Sequence, residues 1–177
     1  MRRLYAYPFV YDIFSSPERK AYTVTMQTDL TKSECEKILA DNYYAHFACI
    51  DGDEPYLVPI TYVYERGFLY GCTKEGKKID IMRKHKKVCV QVEHVQSADS
   101  WESVVCWGTF EEVTDEKNIQ RVKLILAGKH GDILLHGKKS PVMPVIKNLH
   151  EDRSDHAAMN VVYRILPYRM TGKAEKQ

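Results

Sequence analysis

YLVPITYVYERGFLYGCT, residues 56–73, is the stretch whose reading decides the fold. β-Branched and aromatic residues fill 56–64 and 68–73, and Glu65, Arg66 and Gly67 supply turn chemistry between them. Two such runs joined by a short turn predict a β-hairpin. Pro59 interrupts the first run, and a proline cannot donate to a ladder. That places the run at an edge, at a bulge, or where the backbone faces something other than a strand. Outward from this hairpin the same period continues. YAHFACI (44–50) lies upstream across a DGDE turn. KVCVQVEHV (87–95) alternates Val88, Val90 and Val92 with Cys89 and Gln91. WESVVCWGTFEEV (101–113) is long enough for a strand bent at Gly108, and NVVYRILPYRMTGK (160–173) returns to strand character.

Two helices flank these six segments. In TKSECEKILADN (31–42), Thr31 and Glu34 have capping-box spacing, and Cys35, Ile38 and Leu39 share one face. Thr114, followed by Asp115 and Glu116, starts a second helix carrying Val122, Leu124, Ile125 and Leu126 up to Gly128. No regular βαβ alternation is present, so the fold class is mainly β of α+β type, an antiparallel Greek-key barrel with a few flanking helices. The chain divides into an N-terminal arm (1–25), one domain (26–173) containing a helical or loop insertion (129–156), and a short tail (174–177).

Composition bounds the function. The 177 residues suit one domain, and 26 basic against 24 acidic residues leave +2, too little to argue for nucleic acid. No stretch reaches the ~18–20 apolar residues of a membrane span. MRRLYAYPFVYDIF places two arginines before an apolar run, yet Pro8, Asp12 and the lack of a small-x-small site favour an arm over a targeting signal. Five cysteines without a CxxC pair suit a reducing compartment, and the expected location is cytoplasmic. The histidines lack zinc-site spacing, so no metal is expected. There is no GxSxG elbow, which disfavours nucleophilic hydrolysis. There is also no GxGxxG fingerprint, so a nicotinamide would enter as a transient co-substrate.

The unusual feature is KEGKKIDIMRKHKK (74–87), with seven Lys or Arg against Glu75 and Asp80. Three readings stand: a solvated helix face, an anion site, or a nucleic-acid patch. For the anion site, Thr73 closes a strand, Gly76 permits an exposed turn, and Lys77 and Lys78 sit where a helix would begin. Hydroxyl, backbone N–H and ammonium then converge as a phosphate requires. If 56–64 pairs with 68–73, the backbone from Val58 to Thr61 lies near Thr73. A flat heteroaromatic ligand could be held there by main-chain groups while its phosphate reaches the lysines. Flavin mononucleotide has that shape.

PYLVPITYVYERGFLYGCTKEGKKIDIMRKHKKVCVQVE (55–93), WESVVCWGTFEEVTDE (101–116) and YRILPYRMTGK (163–173) resemble the flavin-binding split-barrel proteins related to pyridoxamine 5'-phosphate oxidase, within them the nitroimidazole-resistance-like branch. The resemblance implies a six-stranded split barrel and a homodimer with FMN, or FAD, at the subunit interface. It implies that Pro59, Ile60 and Thr61 line the isoalloxazine, beside Val58 of the backbone reading above, and that Cys72, Thr73, Lys77 and Lys78 surround the ribityl phosphate. Trp101 and Ser103 would approach from the same or the partner subunit. The branch often carries His where this chain has Cys72, which counts against haem ligation. The pyridoxamine-phosphate subgroup's Arg and His pattern is not recognisable in YRILPYRMTGK. The implied function is a flavin-dependent oxidoreductase passing electrons from NAD(P)H to a small acceptor such as a nitroaromatic or quinone. Tyr62 is a candidate proton donor. The alternative is a non-catalytic flavin- or haem-binding module of the same fold. Neither reading involves nucleic acid or a membrane.

Overall fold

The computed structural model describes residues 26–135 and 161–176. The expected arm (1–25) and residues 136–156 of the expected insertion lie outside the described residues. In chain order the elements are β1 (Met26–Asp29), α1 (Lys32–Asp41), β2 (Tyr44–Asp51), β3 (Glu54–Thr61), β4 (Val63–Glu65), β5 (Phe68–Thr73), α2 (Lys77–Lys84), β6 (Lys87–Ser97), β7 (Ser100–Glu112), α3 (Glu116–Leu135) and β8 (Val161–Lys176). One antiparallel sheet runs β3-β2-β6-β7-β8-β5-β4, with β1 added to β8. Its end strands, β3 and β4, do not pair with each other, so the barrel is split.

The expected alternation is seen directly. Val88, Val90 and Val92 of β6 face Val104, Cys106 and Phe110 of β7 across one core, joined by Phe47, Leu69 and Ile165. α1 plugs this core with Cys35, Ile38 and Leu39. Its start is fixed by the capping box: the Thr31 N–H donates to Glu34 Oε2 at 2.7 Å, and the Glu34 N–H donates back to Thr31 Oγ1 at 3.3 Å. α2 buries Ile79, Ile81 and Met82 in the same core. A second cluster forms under α3, where Val122 and Leu126 meet Val63, Tyr70 and Val162.

Several expectations are corrected. The run at 56–64 is two strands rather than one. Glu54–Thr61 pairs with β2 through the Gly52 turn, and only Val63–Glu65 pairs with β5. Tyr62 stands at the break: its N–H still donates to the Tyr43 carbonyl at 2.9 Å, its ring is fully buried, and its hydroxyl donates to the Leu39 carbonyl of α1 at 2.9 Å. Pro59 does sit on an edge strand, as does Pro55. The N-cap of α3 is Asp115 rather than Thr114, its carboxylate accepting the Asn118 N–H at 2.9 Å. The helix continues through Gly128, and Leu124 points to solvent. The expected tail is also strand: β8 extends to Lys176 because Met26–Asp29, a strand too polar to predict, pairs with it.

The bend expected at Gly108 coincides with a register shift between Trp107 and Gly108, where β8 carries one extra residue. A Cβ at Gly108 would stand 2.3 Å from Ile165 Cγ2 and 3.0 Å from the Leu166 carbonyl oxygen. Gly108→Ala should therefore lower stability by about 1–3 kcal/mol through overpacking. A urea titration should show the midpoint falling at unchanged slope, and an unmoved midpoint would refute this close approach.

Candidate functional site

β3, the end of β5 and the first turn of α2 border an open cavity of about 240 Å³. Val58 and Pro59 line it from β3, Thr73 from β5, and Gly76, Lys77 and Lys78 from the start of α2. The local backbone explains the shape. Gly76 adopts φ +154° at the N-cap of α2, a conformation that side-chain-bearing residues avoid, and nothing stands within 4 Å of where its Cβ would be. The chain thus turns sharply from the strand into a helix whose first amides, at Lys77 and Lys78, have no acceptor within the helix. The helix dipole adds positive potential at the same end.

The two lysines differ in state. Lys77 is exposed, its ammonium 3.0 Å from Asp51 Oδ2 and 5.2 Å from the centre of the Tyr56 ring. Lys78 is half-buried, and no described carboxylate lies within ion-pair distance of it. Burial holds its pKa below the usual lysine range, the thiol of Cys49 opposing weakly. A partly desolvated ammonium without a described counter-ion, beside a hydroxyl and the first amides of a helix, is a donor set whose chemistry suits an anion. Phosphate chemistry fits this donor set.

Of the residues named from the sequence, Val58, Pro59, Thr73, Lys77 and Lys78 come together here. The others do not. Ile60 is buried in the core, and neither it nor Thr61 lines the cavity. Cys72 follows the alternation of β5 to the opposite face from Thr73 and packs in the α3 cluster, where burial pushes its thiol pKa up. Trp101 and Ser103 lie on the outer face of the sheet. Ser103 Oγ accepts a hydrogen bond from Gln91 Nε2 at 3.4 Å, Gln91 pairs with His46, and His46 pairs with Pro59. They therefore stand three strands from the cavity, within the same protomer. Tyr62 is in the core with its hydroxyl committed to Leu39, so the proton-donor expectation is withdrawn.

Three lining residues escaped sequence reading: Tyr56, Lys74 and Glu75. Tyr56 could have been found, because it shares a strand face with Val58 by the period of two. Asp51, the partner of Lys77, was hidden inside what reads as turn chemistry.

The fold and cavity define a class: a split antiparallel barrel with a lysine-lined cleft where its edge strand meets a helix N-terminus. Comparison with known proteins makes this specific. The chain belongs to the pyridoxamine 5'-phosphate oxidase family, whose model matches residues 31–174. The uncharacterized protein RA0666 of Rhizobium meliloti is 38% identical over 84 residues, a span covering 48% of this chain and 56% of that protein. The match therefore covers little more than half the length of that curated relative. Among solved structures, a FAD-binding protein from Mesorhizobium loti is 29% identical with a TM-score of 0.65, covering 86% of this chain and 99% of its own. A candidate 5-nitroimidazole antibiotic resistance protein from Bacteroides thetaiotaomicron shares the fold at 20% identity and TM-score 0.62, covering 92% of this chain and 95% of its own.

The placement of Tyr62 generates a test. Tyr62→Phe removes a buried hydroxyl and leaves the Leu39 carbonyl unpaired, so stability should fall by about 1 kcal/mol. Anion binding at the cavity should not change, and a loss of binding at full stability would return Tyr62 to the site.

Proposed function

We propose that the cavity holds the phosphate end of a flavin nucleotide, FMN in the first instance and FAD as the alternative, and that the protein is a flavin-dependent oxidoreductase. The observation that carries this reading is the half-buried, counter-ion-free Lys78 beside Thr73 and the α2 amides, with Val58 and Pro59 of the edge strand adjoining. Pro59 offers its carbonyl but no N–H, and the backbone of β3 has one side unpaired, so main-chain groups are available to a planar heterocycle. The FAD-binding relative from Mesorhizobium loti supports the cofactor class. A bound flavin supplies hydride acceptance from NAD(P)H and electron donation to a small acceptor such as a nitroaromatic or quinone. The chain's own contribution is to fix the phosphate, orient the ring and limit water. This reading assigns no side chain as general acid, and solvent supplies the protons. The non-catalytic flavin module remains the second reading. No feature of the described residues favours its haem version, since Cys72 packs under α3.

A second copy of the chain completes the site in this reading. About 240 Å³ is less than the ~300–1,000 Å³ that encloses a whole small-molecule ligand, so one protomer supplies a partial site. Beside it the outer sheet face exposes Leu57 and Ile50, 64% and 45% accessible. A homodimer covering that face also explains how Trp101 and Ser103 would reach a flavin, from the partner subunit. Sedimentation equilibrium should give twice the chain mass, and Leu57→Asp should halve it. A monomeric wild-type protein that binds flavin fully would refute the shared site.

The central experiment is an absorption spectrum of the purified protein with identification of the released chromophore, followed by NAD(P)H-driven reduction of a nitro compound. A flavin spectrum is expected, and protein that stays colourless after FMN and FAD are added overturns the reading. Lys77→Ala with Lys78→Ala should weaken FMN binding at least about tenfold without unfolding the barrel. The pH dependence has a definite sign. Phosphate binds the protonated ammonium, so affinity should fall as pH rises through the depressed pKa of Lys78, below the ~10.4 of an ordinary lysine. Lys78→Arg, which stays charged, should abolish that alkaline fall.

A further inference from the structure

A carboxylate lining an anion cavity is an electrostatic anomaly, and Glu75 is one. The structure answers it with Arg83, about one and a half turns along α2 from the lysines. The guanidinium forks Glu75, NH1 to Oε2 at 2.8 Å and NH2 to Oε1 at 2.9 Å. It also forks Glu112 at the end of β7, Nε to Oε1 at 2.6 Å and NH2 to Oε2 at 3.0 Å. Arg83 thus ties the cavity loop to its own helix and to a strand of the sheet. Planar bidentate geometry at both carboxylates is what a guanidinium provides and an ammonium does not.

The side chains of Arg83, Glu75 and Glu112 are 40%, 58% and 30% accessible, so solvent screens each pair and limits what the network adds to folding. What the fork does accomplish is local. It neutralises Glu75 and fixes its carboxylate on Arg83, and it anchors the residue before Gly76, whose φ of +154° sets the entry into α2. Glu112 holds Arg83 from the far side, its own carboxyl kept below the usual range by the guanidinium.

We infer that Arg83 is a positioning residue for the anion site, holding the Glu75 carboxylate away from a bound phosphate by way of a double fork anchored on Glu112. This inference rests on the flavin-phosphate reading above. It predicts an effect confined to the phosphate, because riboflavin, which lacks one, does not meet the Glu75 charge.

The test is calorimetric titration of flavin-free full-length protein with FMN and with riboflavin. For the wild-type chain FMN should bind more tightly. Arg83→Ala should lose about tenfold in FMN affinity, the scale of one uncompensated charge contact near a surface, with riboflavin unchanged. Arg83→Lys, with one ammonium for two carboxylates, should fall between. Adding Glu75→Gln to Arg83→Ala should restore FMN affinity, because the repelling charge is gone. Unchanged FMN binding in Arg83→Ala, equal losses for FMN and riboflavin, or no recovery in the double variant would each overturn the inference while leaving the phosphate site standing. A wild-type protein without preference for FMN over riboflavin would instead overturn the phosphate reading, and this inference with it.

Discussion

Strand β8 has to satisfy two edges at once, and the rest of the molecule is arranged around that requirement. Along one side it pairs with nearly the whole of β7; along the other its first residues pair with β5 and its last with β1. A flat strand of 16 residues could not serve neighbours that diverge in this way. The irregularity between Trp107 and Gly108 lets the ladder change direction, and the absence of a side chain at Gly108 lets Ile165 pass beneath it. The direction taken by β5 delivers Thr73 to the mouth of α2. The position of the cavity is a consequence of how β8 is shared.

The electrostatics of the 74–87 segment follow from pairing more than from counting. Seven basic residues in fourteen read as a strongly positive patch. In the folded chain Arg83 is matched by two carboxylates and Lys77 by one, so much of that charge is internally balanced. Lys78 stands apart because the fold removes it partly from water without offering a carboxylate. Desolvation then makes an incoming anion more valuable to it than to any exposed neighbour.

Much of this was legible in the sequence, and what was not shares a cause. The α1 capping box, the Val88–Val90–Val92 stripe, the helix start at Lys77 and the edge position of Pro59 are local signals, and local geometry honours them. The meeting of Val58 and Pro59 with Thr73 and the two lysines was expected, but through a hairpin of 56–64 with 68–73 of which only Val63–Glu65 forms; β3 reaches the site from its pairing with β2 instead. The pairing of 54–61 with β2 rather than β5 was not legible, because the break falls at Tyr62, whose hydroxyl finds its partner, the Leu39 carbonyl, across the fold. Cys72 was grouped with Thr73 through the family resemblance, although adjacent strand residues face opposite ways. The short β1 was invisible because Met26–Asp29 is mostly exposed and carries no apolar alternation.

The prolines of β3 have a bearing on how copies of this chain can meet. An edge strand normally presents a row of N–H and C=O groups on which another strand can assemble. Pro55 and Pro59 occupy positions of the same parity on this edge, four residues apart, and a strand proline turns its nitrogen toward the unpaired side. The row of donors is broken at both places while the carbonyls remain. Sheet extension through β3 into an open-ended fibre is thereby discouraged, and the homodimer proposed above would have to form through a face of the barrel rather than along this edge.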